Sequence, residues 1–475
     1  MAYAKINSVT NANMAKVSNV AKAAIGKIDN IDAPAAADNA FTFTMNTENA
    51  GSATKTFVLP LVNDGSINFT VDWGDSSIDT ITAYDQAEIT HVYSSTGTYT
   101  VKLEGTIRGF RFYNSGDKLK ILNISNWGDL NVTQTGTFMG CTNLTCNATD
   151  APTISSITLL YMFYNCSSFN GDVSSWDVST VENIGSMFSG CTPFNVDVSG
   201  WDVSSVTDMG GAFYNCSSFN QDLSSWDISS CTNIGEMFYG TSFNQNINAW
   251  DVSSVTNMGQ MFRNCASFNQ SLNSWDTSSV LYMNNMFADA VAFNGDISSW
   301  DTSACINMQD MFHDATVFNQ DISGWDVSSN VRCQSMFRDA LAFNQDIGSW
   351  DVGEVLYMNS MFQNAESFNQ DIGNWDTAKV TNISYMFRYA DAFNQSLGSW
   401  DISAITNMTR FMSDITISTV NYDDILLAWA DQSKNSGLSA HFGSSTYTGG
   451  GAVEEARTLM IEEDNWTITD GGEAG

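Results

Sequence analysis

The sequence predicts a mainly β protein with short helices, organised around a long solenoid of coils about 25 residues each. Three observations predict it. Ten Trp-Asp pairs begin at Trp176, Trp201, Trp226, Trp250, Trp275, Trp300, Trp325, Trp350, Trp375 and Trp400, 25 residues apart except for one step of 24. Within a unit, apolar residues recur mostly every three positions, which is neither a strict strand period nor a helical stripe. A Phe-Asn pair also recurs in every unit, with the asparagines at 170, 195, 220, 244, 269, 294, 319, 344, 369 and 394.

A typical unit runs from Val255 through Met258, Met261, Phe262, Cys265, Phe268 and Leu272 to Trp275. This period and spacing predict a leucine-rich-repeat-like coil that buries its apolar side against the next one. The Trp-Asp-Val-Ser stretch alternates, so one short parallel strand per coil is expected there. The Val-Thr-Asn-Met-x-x-Met-Phe stretch is expected to be a helical or 3₁₀ turn. At ~4.8 Å per rung, ten to twelve rungs make a rod roughly 50 to 60 Å long. Met and Phe fill its interior. The recurring Asn is expected to form an amide ladder that satisfies turn backbone.

A second ladder follows the tryptophans: Asp177, Asp202, Asp227, Asp251, Asp276, Asp301, Asp326, Asp351, Asp376 and Asp401. Stacked carboxylates repel unless hydrogen bonds or cations offset them. The first expectation is hydrogen bonding to the adjacent Ser-Ser turn. The alternative is a weak cation stripe, with calcium favoured because it takes oxygen ligands. No other cofactor is expected.

The chain carries a net charge of -34 and only 15% charged residues, and no Lys or Arg lies between 151 and 262. Such a field argues against nucleic acid and anionic lipid as partners. Cys141, Cys166, Cys191, Cys216 and Cys265 occupy one repeat position that Ala290, Ala315, Ala340, Ala365 and Ala390 take later. A Cys that trades with Ala is a small buried side chain, so disulfides are not expected. No run of 18 apolar residues predicts a membrane span, and no Sec-type signal peptide is visible.

Four regions are expected: an amphipathic segment at 1–35, a small β-sandwich at 36–115, the solenoid at 116–413 and an α/β cap at 414–475. In the second, Phe41-x-Phe43-x-Met45, Ile67-x-Phe69-x-Val71-x-Trp73 and Tyr99-x-Val101-x-Leu103 alternate with period two. Its Trp73-Gly74-Asp75, His91-Val92-Tyr93 and Gly97-Thr98-Tyr99-Thr100-Val101 resemble the PKD-like family, with Ser76 replacing a frequent glycine. That likeness implies a spacer or recognition module and makes His91 a structural turn residue.

Units such as Phe318-Asn319-Gln-Asp-Ile-Ser-Gly-Trp325-Asp-Val-Ser resemble the BspA-like leucine-rich-repeat surface proteins, which implies a cell-surface binding role. Asp117 to Trp127 looks like that family's lead into the first rung, and Phe138-Met139 and Phe411-Met412 like degenerate terminal rungs. The closing segment from Asn421 to Trp466 resembles its cap, with helices expected near 421–431 and 452–463. In the opening residues Lys16, Lys22 and Lys27 lie away from an apolar helical face of Met14, Val17, Val20, Ala21, Ala24, Ile25 and Ile28. The run from Met1-Ala-Tyr-Ala-Lys-Ile-Asn to Asn19-Val-Ala-Lys-Ala-Ala-Ile-Gly-Lys-Ile-Asp resembles the N-termini of tailed-phage structural proteins.

An enzyme is not expected. The three histidines, His91, His313 and His441, fall in different units, and ten equivalent carboxylates lack the asymmetry that glycoside hydrolysis needs. The favoured function is a structural and binding component of a phage virion, a fibre or decoration. The 1–35 segment would dock on other virion proteins, and the solenoid would meet a protein or glycan of the host surface. A bacterial cell-surface adhesin is the alternative, and a phage depolymerase the third. An oligomer is expected. The variable positions Arg263, Tyr282, His313, Arg338 and Tyr389 are the contact candidates.

Overall fold

The computed structural model describes residues 39–475, so the expected docking segment at 1–35 lies outside the described residues. The repeat closes as predicted by its period: every 25 residues the chain returns to pair with itself. Single parallel bridges link Thr158, Asn183, Asp208, Asn233, Asn257, Tyr282 and Asn307 in succession, then Arg332, Tyr357, Asn382 and Asn407.

The side of the coil that pairs is the reverse of the expectation. The Trp-Asp-Val-Ser stretch is a pair of turns, and the Asn-Met-x-x-Met-Phe stretch carries the ladder. The physical reason lies in two local choices. After each Trp, the Asp carboxylate captures the N–H two residues on, which withdraws that backbone from pairing. Asp251 Oδ1, for example, accepts from the Ser253 N–H at 3.1 Å and its hydroxyl at 2.6 Å.

Along residues 258–264, in contrast, alternate N–H groups cross to the next rung. Met258 donates to the Tyr282 carbonyl (3.0 Å), Gln260 to Asn284, Phe262 to Met286 and Asn264 to Ala288 (each 2.9 Å). The intervening N–H groups of Met261, Arg263 and Cys265 close turns onto Met258, Gln260 and Phe262 at 3.2, 3.1 and 3.0 Å. This alternation needs left-handed backbone at two places per rung, here Gln260 and Asn264, both at φ 59°. The second place is Asn, Asp or Gly in nearly every rung (Asn165, Gly190, Asn215, Gly240, Asp289, Asp314, Asp339, Asn364), the residues that tolerate this region best.

Inside, the columns are aromatic. Phe262 stacks on Phe268 of its own rung at 3.9 Å and on Phe287 of the next at 5.7 Å. The tryptophan indoles are buried and point down the stack. Trp201, Trp226 and Trp250 donate to the carbonyls of Val173, Val198 and Leu223, each in the preceding rung, at 2.9 to 3.0 Å, and the pattern continues to Trp400. The asparagine ladder forms at the surface: each Oδ1 accepts the N–H of the next rung's Asn, as Asn244 does from Asn269 at 3.0 Å. At the repeat position that Cys shares with Ala, the thiols are free and buried, and those of Cys166, Cys191, Cys216 and Cys265 are aimed at a Phe carbonyl of the preceding rung, Cys191 at Phe163 (3.1 Å). Burial pushes the Cys265 thiol up to about 11. The single 24-residue step loses its residue beside Thr241, whose hydroxyl bonds the Phe238 carbonyl at 2.8 Å.

Before the array, strands β1 (Phe41–Asn46), β2 (Thr56–Val58), β3 (Asn68–Asp72), β4 (Ile78–Ile81), β5 (Thr90–Val92) and β6 (Thr98–Thr106) enclose Phe43, Phe57, Trp73, Tyr93 and Leu103. They do not form a module set apart at residue 115. Strand β7 (Ile121–Asn126) pairs antiparallel with β1 and parallel with β9 (Thr145–Cys146), so one sheet in the order β4-β3-β6-β1-β7-β9 runs from module into array. Strands β2 and β5 pair separately, as do β8 (Asn131–Val132) and β10 (Thr153–Ile154).

The junction is locked by a fully buried ion pair, Lys120 Nζ to Asp117 Oδ1 at 3.5 Å. Lys120 also donates to the carbonyls of Ser52, Ala53 and Thr56, and Asp117 accepts from the N–H groups of Ser52 and Val58. Satisfied this fully, the buried charges are tolerable.

After the array come α1 (Thr419–Ala430), β11 (Ser439–His441), α2 (Ala452–Glu462) and β12 (Thr467–Thr469). Helix α1 buries Tyr422, Ile425, Leu426 and Trp429, an i, i+3, i+4, i+7 stripe. Among the described residues, no helix is long and apolar enough to cross a membrane.

Candidate binding face

The ladder through residues 258–264 uses only main chain, so the side chains along it that point away from the buried Met258, Met261 and Phe262 are free to vary. Arg263, His313 and Arg338 fall in one column of this face, with Tyr164, Ser189, Tyr214, Tyr239, Ala288, Gln363 and Arg388 at equivalent places. Each lends only its carbonyl to the ladder, as His313 does to the Asp289 N–H at 2.7 Å. Tyr389 lies in the adjacent left-handed column at φ 61°, and Tyr282 in the bridging column, 41% exposed. Arg263, His313 and Arg338 thus share one column and Tyr389 the next, while Tyr282 stands in the bridging column earlier in the same ladder stretch.

The C-terminal half of this face is ionic. Arg263 meets Asp289 at 3.4 Å, His313 and Arg338 share Asp339 at 3.4 and 3.1 Å, and Arg388 meets Asp414 at 3.0 Å. The hydrogen bond to Asp339 raises the His313 pKa above its ordinary value against the opposing effect of burial. Burial, then the carboxylates of Asp339 and Asp289, raise Asp314. Burial also opposes the charge of Asp339, but hydrogen bonds from His313 and Asn364 hold it below the ordinary carboxylate range. Arg388 covers the Tyr389 ring at 4.5 Å and donates to its hydroxyl at 2.8 Å.

The N-terminal half is aromatic and amide-rich, and it contains the residues that sequence reasoning passed over. Tyr161 and Tyr164 meet edge to face at 5.5 Å. Tyr214 stacks on Tyr239 at 4.4 Å and 17°, and Arg263 lies beyond at 5.7 Å from the Tyr239 centroid. Between Tyr164 and Tyr214 the column holds only Ser189, leaving a cleft of about 520 Å³ whose lining includes Tyr161, Ser186 and Glu236. Those three residues also line an open groove of about 470 Å³ that runs on to Tyr282 and Asn284.

The groove's floor is Gly185, Gly210, Gly235 and Gly259, one per rung; later rungs put Asn284, Gln309, Gln334 and Asn359 there. A Cβ on Gly210 would stand 2.6 Å from the Asn233 amide nitrogen. Beside the floor, Asn183, Asp208, Asn233 and Asn257 form a hydrogen-bonded chain from rung to rung at 2.8 to 3.1 Å. A signal was present in the sequence: four glycines at rung spacing, and tyrosines in a column that otherwise varies.

The Asp ladder lies on the other side of the coil as ten separate turns. Asp177, Asp202, Asp227, Asp251, Asp276 and Asp301 each hold the N–H and hydroxyl of the Ser two residues on. Asp326, Asp351, Asp376 and Asp401 hold an N–H alone. The serine bonds lower the pKa of Asp177, Asp202, Asp227, Asp251 and Asp301. Among the described residues, no three His, Cys, Asp or Glu side chains converge as a metal cage would require.

In the N-terminal module, His91 stacks on Trp73 at 4.7 Å and bonds Asp75 through Nε2 at 2.9 Å. It braces a turn. His441 sits in β11, where its carbonyl continues the ladder from Met412.

The family described as "Mycoplasma protein of unknown function, DUF285" matches this chain three times in tandem, over residues 132–243, 232–343 and 324–424. No curated protein matches it.

Proposed function

Because the chain belongs to the DUF285 family, a family of repeat proteins, we propose that it is a non-enzymatic, surface-displayed attachment protein, carried as a fibre or decoration on a tailed-phage particle. The observation that carries attachment is the division of labour within each rung. Main-chain bonds and interior Phe, Met and Trp hold the stack, while one outer face carries tyrosines, arginines and carboxylates that the stack does not need. Exposed aromatic and Arg side chains on rigid backbone are what recognition surfaces use. The phage setting rests on the opening residues' likeness to phage structural proteins, and residues 1–35 would dock on the particle.

The likeness of the units to BspA-like surface proteins favours a second setting, a bacterial cell surface, in which the same face would serve. Mass spectrometry of purified particles and of bacterial envelopes separates the two. Recovery from particles is expected; recovery from envelopes alone would overturn the virion reading. Binding of the labelled chain to host cells tests attachment in either setting.

A further inference from the structure

We propose that the cleft between Tyr164 and Tyr214, continued along the glycine-floored groove, binds a neutral oligosaccharide. The inference rests on the attachment reading and names its ligand. Two rungs separate the tyrosines, so their rings stand roughly 10 Å apart at ~4.8 Å per rung. That gap admits one ring-shaped group in van der Waals contact with both walls. Both walls are fixed beforehand, Tyr164 by Tyr161 and Tyr214 by Tyr239, and preorganisation of this kind lowers the entropic cost of binding. Tyr239 is itself held by the Asn264 amide at 3.1 Å and by Arg263.

A pyranose presents an apolar C–H face to an aromatic ring and hydroxyls at its rim. Around the cleft, Tyr161, Ser186 and Glu236 bring two hydroxyls and a carboxylate to the lining that such a rim would meet, while Ser189 is buried at its base. Along the groove, Asn284 supplies an amide that both donates and accepts, and Asn257 and Gln260 each keep an N–H beyond the one they give to Asn233 and Glu236. The rung repeat presents this set at regular steps, as a chain of linked sugars requires.

Charge narrows the class. Among the described residues, no Lys or Arg lines either cavity, which disfavours sulfated, phosphorylated or uronic acid polymers. Of the two carboxylates, Asp208 is consumed by bonds from Gly210, Asn183 and Asn233, and Glu236 accepts from Gln260. None of these bonds removes a charge, but the Asp208 oxygens are occupied, which leaves Glu236 as the groove's carboxylate with open acceptor capacity for a sugar hydroxyl. A basic peptide is the competing occupant, and the oligolysine titration decides between the two.

Ser189→Tyr is the decisive variant, because the same column already holds tyrosine at 164, 214 and 239. It continues the stack, fills the cleft and leaves the fold intact, which an unchanged melting temperature checks. Calorimetric titration of the full chain with neutral tetrasaccharides of glucose, mannose and N-acetylglucosamine, and with heparin and oligolysine, supplies the readout. Binding of at least one neutral tetrasaccharide is expected, weakened tenfold or more in Ser189→Tyr and in Tyr214→Ala. Binding of none, or binding untouched by Ser189→Tyr, overturns the proposal. Preference for oligolysine, lost in Glu236→Gln, overturns it in favour of a basic peptide. Cell binding is read separately: cells bound equally well by Ser189→Tyr leave attachment standing and remove the glycan cleft.

Discussion

The two ends of the array solve the same problem by different means. At the C-terminal end, the cap imitates the rung that would have come next. Ser418 donates its N–H to Asn394 Oδ1 at 2.7 Å, the place of the next ladder Asn. Asn421 bonds the Asn394 carbonyl at 2.7 Å, as a Gln does in most rungs. Trp429, on a helix instead of a turn, donates to the Leu397 carbonyl at 3.1 Å as the next rung's indole would. At the N-terminal end the chain leaves the repeat pattern for a sheet and a buried ion pair. There the indole N–H groups of Trp127 and Trp176 find no acceptor among the described residues. The difference teaches that the ladder has polarity. Indoles donate backward, so an end supplied with donors can be closed by mimicry, whereas the opposite end leaves donors over.

The largest expected break is at the clasp. Lys120→Met strands Asp117 in the interior and is expected to cost about 3–5 kcal/mol, read by chemical denaturation. At the other end, Asn421→Ala removes one imitation and is expected to cost about 1 kcal/mol. A loss as large as that of Lys120→Met would mean that the cap, and not the clasp, holds the array together.

Polarity itself is tested by a pair. Trp250→Phe deletes a made bond and Trp176→Phe an unmade one, with similar loss of volume. Trp250→Phe is expected to be the more destabilising by about 1 kcal/mol, and equal losses would refute the directional account. On the outer face, Tyr389→Asn replaces a bulky left-handed residue by the kind its column prefers. A gain of up to about 1 kcal/mol in thermal unfolding is expected, less what the Arg388 contact contributes.

The smallest effect is the pH dependence of the ionic half. His313 has a raised folded pKa, so its stabilising contribution is complete below its unfolded value near 6.5 and is lost as pH rises through the folded value. The denaturation midpoint of the wild type should fall over that window, and that of His313→Gln should not.

The repeat, its interior and the asparagine ladder were legible because hydrophobic period and identical spacing record which residues face inward. The pairing side was not, because the sign of φ leaves no trace in an apolar pattern. Both halves of the coil read as turn or strand until the Asn, Asp and Gly at the places of 165, 190, 215 and 240 are taken as left-handed positions. Alternation at Trp-Asp-Val-Ser misled because the Asp side chain takes the N–H that a strand would have used. The contact candidates Arg263, His313 and Arg338 were found as departures from consensus. Tyr164 and Tyr214 were missed because a cleft comes from what its neighbour lacks, and Ser189 is inconspicuous in sequence.

The 24-residue step at Thr241 has a consequence for descent. If one residue can vanish at a turn without breaking bridge, indole or amide columns, whole units can be duplicated or excised by unequal recombination at equally small cost. Each such event would translate every outward side chain beyond it by one rung while leaving the interior indistinguishable. Length and outer lettering would then diversify quickly on an unchanging frame, and two kin of this chain could share nearly all their buried residues yet grip different targets.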